Sequence, residues 1–407
     1  MALSLNIQKS VLPFRKYELV AVTWKNATLI WNGFTTLYLD DGYLDKFNTV
    51  NHHHRGKWTT IETSGDFPKH GAEIYEGAHV FNDKMFVLDE DSGLIVIHSL
   101  DLHSWIWEKL IPGGTVPSVA TEGIRSWVFN GKIYVLGGND LSQMSIQLAC
   151  YNIATSSWEW PKQSGDVPSP RTYPLVTISS DTLFLIGGFS DVETPAVFFE
   201  GPAVAFEGGS YNDLHLLDMP SMMWKRVHGN MPNGQGPKRC CSPRYTFTTI
   251  CHSTAAMIGT YYDSDILTDD GWLLNLHKAK KLMDPSSIWT KITNPFLVRD
   301  SHAAVLQPLS KRLWLIGGYN VKGPAMNILK LNFNQLRPLK DLAMDCVARN
   351  ICAHDPRLAP DDQMTRQLRA EIEAYRCEIG DQSDCPDEDW RKSACPLEEG
   401  RKSCGLP

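Results

Sequence analysis

The sequence lacks any long hydrophobic run, and no apolar stretch approaches the roughly 20 residues that a membrane-spanning helix requires. Its N-terminal region also lacks the basic segment and continuous apolar stretch that mark a secretory leader. Cysteine is sparse, with 10 among 407 residues, and does not form a disulfide framework. We therefore expect reduced thiols, a cytoplasmic and/or nuclear location, and no membrane association.

An excess of basic charge is also missing. The chain has 39 Lys and Arg against 46 Asp and Glu, which gives a formal net charge of -7. Proteins that hold nucleic acid electrostatically are usually basic instead. The P-loop and the nucleophile elbow, two motifs of phosphate binding and nucleophilic catalysis, do not occur. We therefore expect no nucleic-acid partner and no catalysis by this chain alone.

Candidate metal ligands are few. His52, His53 and His54 are adjacent, so their side chains point in different directions, and the four cysteines after residue 376 lack the short C-x2–4-C pair of zinc sites. Glu62, Asp66 and His70 form one carboxylate–imidazole set of a type that suits ferrous iron. However, Asp66 belongs to a loop sequence that recurs 100 residues later without the other two. We predict no metal and no cofactor.

What the sequence does contain is a repeat. A run of about four apolar residues ends in two small residues, usually glycines, and recurs about every 50 residues. A Trp and then a Pro follow the run, in the same order, in the first five copies. The runs lie at 28–33, 85–90, 133–138, 183–188, 255–260 and 313–318, and the tryptophans are Trp58, Trp107, Trp158, Trp224 and Trp289.

The repeat predicts a strand-based architecture. Each run is too short for a globular helix and rich in strand-forming residues, which indicates a strand buried on both faces. The glycines permit positive φ or close packing where the strand leaves the core, and the Trp predicts a later strand that buries surface between neighbours. We predict an all-β, six-bladed β-propeller over residues 1–335. The sixth copy lacks its Trp, and residues near 10–25 are predicted to supply its outer strand.

These markers resemble those of the kelch-repeat family. The resemblance implies that ligands bind where the loops entering the innermost strands converge. Side chains in those loops would offer a basic surface to an acidic or C-terminal carboxylate group of a bound peptide. The alternative is that they pack the blades together. The candidates for this peptide surface are Arg125, Trp127, Arg171, Tyr173, Arg244, Arg299 and Ser301.

One feature of related receptors is missing. Relatives that recognise C-terminal glycine degrons place arginines shortly after the diglycine of the fourth blade. Here Gly187-Gly188 leads into an insertion at 196–209, and no Arg occurs between Arg171 and Arg226. The same substrate is therefore not predicted, and the insertion is expected to reshape the rim of the pocket.

The pattern changes after Asn334. Apolar residues recur with helical spacing from Leu336 to about Ala353, and a second amphipathic stretch runs from Gln363 to about Glu378. We predict a short α-helical segment over 336–380 and a flexible acidic tail over 381–407.

Leu342 and Cys346 resemble the Leu-x3-Cys kernel of the BC-box helix that binds elongin. A propeller followed by such a helix resembles the kelch-domain substrate receptors of elongin–cullin-RING ubiquitin ligases. That resemblance implies a propeller that binds a peptide segment or degron and a helix that recruits elongin and a cullin. The alternative is a cytoskeletal or signalling kelch scaffold, in which the helix packs on the propeller.

Overall fold

The computed structural model describes most of the chain up to Phe333. The predicted helical segment 336–380 and tail 381–407 lie outside the described residues. The described ranges are 5–12, 19–31, 49–54, 56–68, 77–92, 94–117, 123–137, 146–188, 211, 213–227, 245–251, 253–259, 262–263, 266–267, 270–293, 299, 302–307, 310–320, 323–325 and 327–333.

The first three blades are antiparallel sheets whose strands follow one another along the chain. Strand β1 (Leu5–Val11) precedes them and belongs to the last blade. Blade 1 comprises β2 (Val20–Trp24), β3 (Ala27–Trp31), β4 (Thr49–His54) and β5 (Lys57–Glu62). After β6 (Ser64–Gly65), blade 2 comprises β7 (Ala78–Phe81), β8 (Lys84–Asp91), β9 (Leu94–Asp101) and β10 (Ile106–Leu110). Blade 3 comprises β11 (Arg125–Phe129), β12 (Lys132–Leu136), β13 (Leu148–Asn152) and β14 (Ser157–Glu159).

The last three blades repeat this plan with insertions. After β15 (Ser164–Gly165), blade 4 comprises β16 (Leu175–Ser179), β17 (Thr182–Ile186), β18 (Leu214–Asp218) and β19 (Met223–Val227). Blade 5 comprises β20 (Tyr245–Cys251), β21 (Thr254–Gly259), β24 (Asp270–Asn275) and β25 (Trp289–Thr293), with the hairpin β22 (Tyr262–Asp263) and β23 (Ile266–Leu267) and the helices α1 (Leu276–Lys280) and α2 (Pro285–Ile288) inserted. Blade 6 comprises β26 (Ala303–Leu306), β27 (Leu313–Ile316) and β30 (Asn327–Phe333), with the hairpin β28 (Tyr319–Asn320) and β29 (Gly323–Pro324).

Blade 6 is completed by the N-terminal strand. β1 pairs antiparallel with β30, so Leu5 lies opposite Phe333 and Val11 opposite Asn327. The prediction that N-terminal residues supply the missing outer strand is confirmed. Its position is corrected, because the strand lies at Leu5–Val11 and not near 10–25, and Val20–Trp24 forms the innermost strand of blade 1.

The apolar runs form the second strand of each blade, and their buried side chains pack between neighbouring blades. The described residues form six buried apolar clusters, one between each adjacent pair of blades. Four of the repeated tryptophans are buried on fourth strands, and Trp58 is partly buried. Trp107 of blade 2, for example, lies 5.6 Å from Trp31 of blade 1. The six-bladed all-β propeller predicted from the repeat is therefore confirmed.

The repeated Ser-Gly-Asp sequence joins blade 1 to blade 2 and blade 3 to blade 4. Ser64–Gly65 pairs in parallel with the fourth strand of blade 2, and Ser164–Gly165 pairs in parallel with that of blade 4. Gly65 and Gly165 have φ of 90° and 78°, and a Cβ on either would collide with the carbonyl oxygen of a tryptophan on the paired strand. Glycine is required here because no side chain fits and the backbone is left-handed. The paired segment also covers the outer edge of the sheet.

Blades 2 and 5 depart from the repeat. Where other blades have a diglycine, blade 2 has Asp89-Glu90, and β8 continues through these residues and pairs with β9 as far as Asp91. In blade 5, α1 and α2 replace the tight turn between the third and fourth strands. Among the described residues, no helix is long and apolar enough to cross a membrane.

Candidate functional site

The two ends of the propeller differ in the length of their connections. At one end, the hairpin face, short turns join first to second strands, as from Trp24 to Ala27. At the other end, the loop face, connections join second to third strands and one blade to the next. Three of these are long, from Trp31 to Thr49, from Ile186 to Leu214 and from Val227 to Tyr245. Long loops on a rigid scaffold commonly carry binding residues, so the loop face is the candidate site.

Arg171 approaches the loop face but is only 1% exposed. Its Nη1 donates to the carbonyl of Gly187 at 3.0 Å and to Asp213 Oδ1 at 2.6 Å, and its Nη2 donates to Asp213 Oδ2 at 3.2 Å. Nε and Nη2 also donate to Ser169. The ring of Tyr211 lies 4.0 Å from the guanidinium carbon. Each guanidinium nitrogen is thus engaged within blade 4.

The carboxylate of Asp213 is charged and strongly held. Its burial alone would raise its pKa, but hydrogen bonds with His215 and Arg171 outweigh burial and hold the pKa far below 3.8. His215 Nε2 lies 3.0 Å from Asp213 Oδ2, and His215 Nδ1 lies 3.1 Å from the carbonyl of Asp166 in the Ser-Gly-Asp segment. This chain of polar contacts ties the loop face of blade 4 to its outer edge.

Arg299 has the same place in blade 6. Its Nη1 donates to the carbonyl of Gly317 at 3.0 Å, and its Nη2 donates to Asn327 Oδ1 at 2.7 Å. Burial lowers the pKa of Arg299 to about 10, and no ion pair of Arg299 is found within the described ranges. Burial also lowers the pKa of His302 to about 3, so this ring is neutral where it meets Thr246 at 3.1 Å.

Arg125 and Tyr173 link blades 3 and 4. Arg125 is buried, and its Nε donates to the carbonyl of Pro174 at 2.7 Å. The backbone N–H of Tyr173 donates to the carbonyl of Gly123 at 2.7 Å, with Tyr173 at a φ of 52°. Tyr173 is partly exposed, in contrast to the arginines that surround this face.

Trp127 lies in the interior. Its side chain is 5% exposed and stacks on Tyr134, with ring centroids 5.5 Å apart and an interplanar angle of 6°. Both rings belong to the apolar cluster between blades 3 and 4. The contacts of Trp127, Arg171 and Arg299 are those of the packing alternative that the sequence left open.

The remaining predicted site residues lie outside the described residues. These are Arg244 and Ser301, two candidates for the peptide surface, and Leu342 and Cys346, the candidates for the elongin-binding helix.

The candidate metal ligands are placed as follows. His53 packs between Trp58 and Trp314, at 4.8 and 5.1 Å between ring centroids, and burial lowers its pKa to about 4. The rings of His52 and His54 lie 5.8 Å apart on the other side of the strand. In the part of the chain that the structure describes, no three His, Cys, Asp or Glu side chains form a group that could hold a metal ion. Glu62 and Asp66 are described, but His70 is not.

The partners of the arginines were not predicted from the sequence. The acceptors Asp213 and Asn327 lie far along the chain from their arginines. Each comes one position before the third-strand residue that pairs with the end of the second strand, which is Leu214 in blade 4 and Ile328 in blade 6. A signal was present, because Tyr211-x-Asp213 and Ala325-x-Asn327 share the same offset from that paired residue. It becomes visible only once the two blades are aligned.

Comparisons with known proteins agree with this fold. A family model described as the KLHDC2/KLHL20/DRC7 Kelch-repeats domain matches residues 18–258. Kelch domain-containing protein 1 of Homo sapiens is 22% identical over 290 residues, which cover 63% of this chain and 65% of that protein. Kelch domain-containing protein 2 of Bos taurus is 32% identical over 108 residues, 24% of each chain.

Two further matches cover a small part of a relative or have a low sequence identity. Acyl-CoA-binding domain-containing protein 4 of Arabidopsis thaliana is 29% identical over 194 residues, 44% of this chain and 26% of that protein. The chain thus spans about a quarter of the length of this relative. The solved structure of YjhT superposes with a TM-score of 0.54 at 14% identity, covering 80% of this chain and 97% of that one. At this identity the likeness shows the fold alone.

Proposed function

This chain belongs to the KLHDC2/KLHL20/DRC7 kelch-repeat family, and we propose that it binds a peptide segment of a partner protein at its loop face. Kelch propellers are in general non-catalytic modules of protein–protein interaction. The proposal rests on the contrast between the two faces: long connections join strands and blades at the loop face of a closed ring, whereas short turns form the hairpin face except at the α1–α2 insertion of blade 5.

Within the loop face, different residues have different roles in the proposal. Arg171, Arg299 and Arg125 hold the loops in place, because their described contacts are with backbone carbonyls and side chains of the propeller itself. Tyr173, which is partly exposed, and Arg244 are the residues proposed to meet the peptide, with Arg244 offering a cation to an acidic or C-terminal carboxylate group.

The finer proposal concerns what the chain recruits. The resemblance of Leu342 and Cys346 to a BC-box kernel supports a substrate receptor of an elongin–cullin-RING ubiquitin ligase in the cytoplasm or nucleus. A kelch scaffold without a ligase is the competing proposal, and it uses the same loop face.

Affinity capture of the full chain from cells, followed by mass spectrometry, tests the loop face. Arg244→Glu is compared with Lys225→Glu, which makes the same charge change at an exposed position on the fourth strand of blade 4. The proposal expects a set of proteins that Lys225→Glu retains and Arg244→Glu loses. Identical sets from both variants contradict it.

The ligase proposal is tested in the same experiment with the double substitution Leu342→Asp and Cys346→Asp. Lys340→Asp is the control, because its side chain falls on the opposite side of the predicted helix. Loss of elongin and cullin from the double variant alone supports the ligase. If the unaltered chain captures neither, the ligase proposal is wrong and the scaffold proposal stands.

A further inference from the structure

A second cluster of chemically distinctive side chains lies on the hairpin face, between blades 1 and 2. Trp24 ends the first strand of blade 1, and Trp105 precedes the fourth strand of blade 2. Their rings stand nearly perpendicular, with an interplanar angle of 87° and centroids 6.2 Å apart. Trp24 Nε1 donates to Asp83 Oδ1 at 2.7 Å. We name this arrangement of Trp24, Trp105 and Asp83 the indole corner.

The indole corner already holds a cation from its own chain. Lys25 Nζ lies 4.6 Å from the centroid of the Trp24 ring and 3.4 Å from Asp83 Oδ1. An indole face and a carboxylate are the two groups that attract an alkylammonium ion. The Lys25 side chain is 57% exposed, so its hold on the corner is weak and exchangeable.

The second carboxylate oxygen of Asp83 also has a partner, His103. His103 Nε2 lies 3.3 Å from Asp83 Oδ2, and the His103 ring meets Trp24 edge-on at 5.5 Å. Hydrogen bonds with Trp24 and His103 lower the pKa of Asp83, so its carboxylate is charged at neutral pH. The corner therefore combines a negative charge with two aromatic walls.

The fold does not require the carboxylate at this point. The equivalent residues are Asp83 in blade 2, Gly131 in blade 3 and Asp181 in blade 4. The carbonyl of each accepts a bond from the residue after the third strand, at 3.0, 3.1 and 2.9 Å. An aspartate therefore recurs at this position, but blade 3 closes the same turn without one. In blade 3, Phe81 of the preceding blade packs over the glycine, just as Trp24 packs over Asp83. Between blades 2 and 3, an aromatic ring that packs on a glycine is thus sufficient, without a carboxylate at that position.

The fold does not require the second indole either. Trp105, Ser156 and Met222 all come directly before the fourth strand, with φ of 58°, 52° and 54°. A left-handed backbone is unfavourable for a bulky aromatic residue, and serine or methionine serves the same hairpin elsewhere. The Trp105 side chain packs against the apolar cluster between blades 1 and 2 and remains partly exposed, so part of the ring is available to a ligand.

An acidic groove adjoins the corner through the same hairpin. It has a volume of about 630 Å³, and its lining includes Asp66, Asp101, Glu108 and the exposed side chain of Ile106. Its one lysine, Lys109, is paired with a carboxylate of blade 2 at 2.6 Å. The groove therefore favours a basic, partly apolar segment.

We propose that the indole corner binds the ammonium group of a lysine side chain from a basic segment of a partner protein, which displaces Lys25 and extends along the acidic groove. This site is separate from the loop face, so the two can be occupied together. An unmodified lysine is assigned because Lys25, itself a lysine, makes the same two contacts.

The test measures binding of short peptides to the full chain by calorimetry and by the indole N–H signal of Trp24. Three peptides of identical basic sequence carry lysine, trimethyllysine or norleucine at the central position. The variants are Lys25→Ala, which vacates the corner, and Asp83→Asn, which keeps its shape. Lys132→Ala, after the corresponding hairpin of blade 3, is the control.

The proposal expects the lysine peptide to bind Lys25→Ala about three- to tenfold more tightly than the unaltered chain or Lys132→Ala, because the competing cation is gone. Asp83→Asn should weaken binding about tenfold, and the norleucine peptide should not shift the Trp24 signal. Equal affinity for Lys25→Ala and Lys132→Ala overturns the proposal. Binding of the trimethyllysine peptide alone overturns the assignment to unmodified lysine.

Discussion

Blades 4 and 6 place an arginine at the same point and surround it differently. Arg171 and Arg299 each donate to the carbonyl of the first glycine of their diglycine at 3.0 Å. In both blades the N–H of that glycine donates at 3.3 Å to the carbonyl of an equivalent residue at or directly before the start of the third strand. That residue is Asp213 in blade 4 and Asn327 in blade 6, so among the described residues only Arg171 meets a carboxylate.

The residues around the two arginines also differ, and again blade 4 offers more groups that stabilise a buried cation. Tyr211 and Ala325 each donate a backbone N–H to the second glycine at 2.8 Å, but only the tyrosine has a ring to cover the guanidinium. His215 supports Asp213, and the equivalent position in blade 6 is Leu329. Both blades therefore keep the hydrogen bond from the arginine to the glycine carbonyl. Among the described residues, only blade 4 also places a carboxylate and an aromatic ring against the arginine.

Removal of the arginines should give the largest difference between the blades. Arg171→Met leaves Asp213 as a buried carboxylate without its cation, and we expect a loss of about 3–5 kcal/mol in the free energy of unfolding. Arg299→Met leaves only the neutral amide of Asn327, so a loss of about 1–3 kcal/mol is expected. Urea unfolding of both variants measures the two values. Equal losses of unfolding free energy would show that the Asp213 carboxylate adds nothing beyond what the Asn327 amide provides.

Asp213→Asn gives blade 4 the acceptor of blade 6. We expect a loss of about 1.5–3 kcal/mol at pH 7, because an amide oxygen replaces a charged acceptor. Since the folded-state pKa of Asp213 is depressed, its contribution is complete above about 3.8 and disappears as the pH falls below that value. The stability difference between the variant and the unaltered chain should therefore shrink below pH 4. A difference that stays constant from pH 7 to pH 3 would contradict the ion pair.

Asn327→Asp gives blade 6 the acceptor of blade 4. Because Arg299 is already buried as a cation, a carboxylate beside it should stabilise the chain by about 1 kcal/mol at pH 7. Thermal unfolding measures the gain, which should vanish in the Arg299→Met background. A lower melting temperature for Asn327→Asp would indicate that desolvation of the new carboxylate exceeds its attraction to Arg299.

Tyr211→Leu tests the ring over Arg171 and should give the smallest effect. Loss of the cation–π contact at 4.0 Å should cost about 0.5–1 kcal/mol, since leucine keeps most of the apolar contact. Chemical unfolding of this variant alone and with Arg171→Met gives the coupling between the two side chains. A coupling energy of zero would show that the Tyr211 ring contributes apolar packing but no attraction to the Arg171 cation.

Much of the fold could be predicted from the sequence because its markers are local. Apolar runs such as Leu183–Ile186 and the tryptophans that follow identify the second and fourth strands of the blades. The role of Ser64-Gly65-Asp66 could not be predicted in the same way. Its hydrogen bonds are with Trp105 and Trp107 of the next blade, and a contact between repeats leaves no periodic signal within one repeat.

The candidate site was less predictable. An arginine near the loop face can point outward to a ligand or inward to a backbone carbonyl. The residues next to Arg171 in the sequence do not show which of the two orientations it takes. Its carboxylate partner lies 42 positions away, beyond the insertion at 196–209. The indole corner was missed because its residues come from three separate hairpins, none of which looks unusual alone.

The pairing of the first described strand with the last has a consequence for the order of assembly. Arg312 Nη1 reaches Gln8 Oε1 across 304 positions of the chain, beside the antiparallel ladder of β1 and β30. As the polypeptide leaves the ribosome, β1 has no sheet to join until Asn327–Phe333 has been synthesised. Bringing such distant segments together is entropically costly and makes folding slow. During that interval Gln8 and Lys9 place polar groups on an unpaired strand, which disfavours its association with other nascent chains.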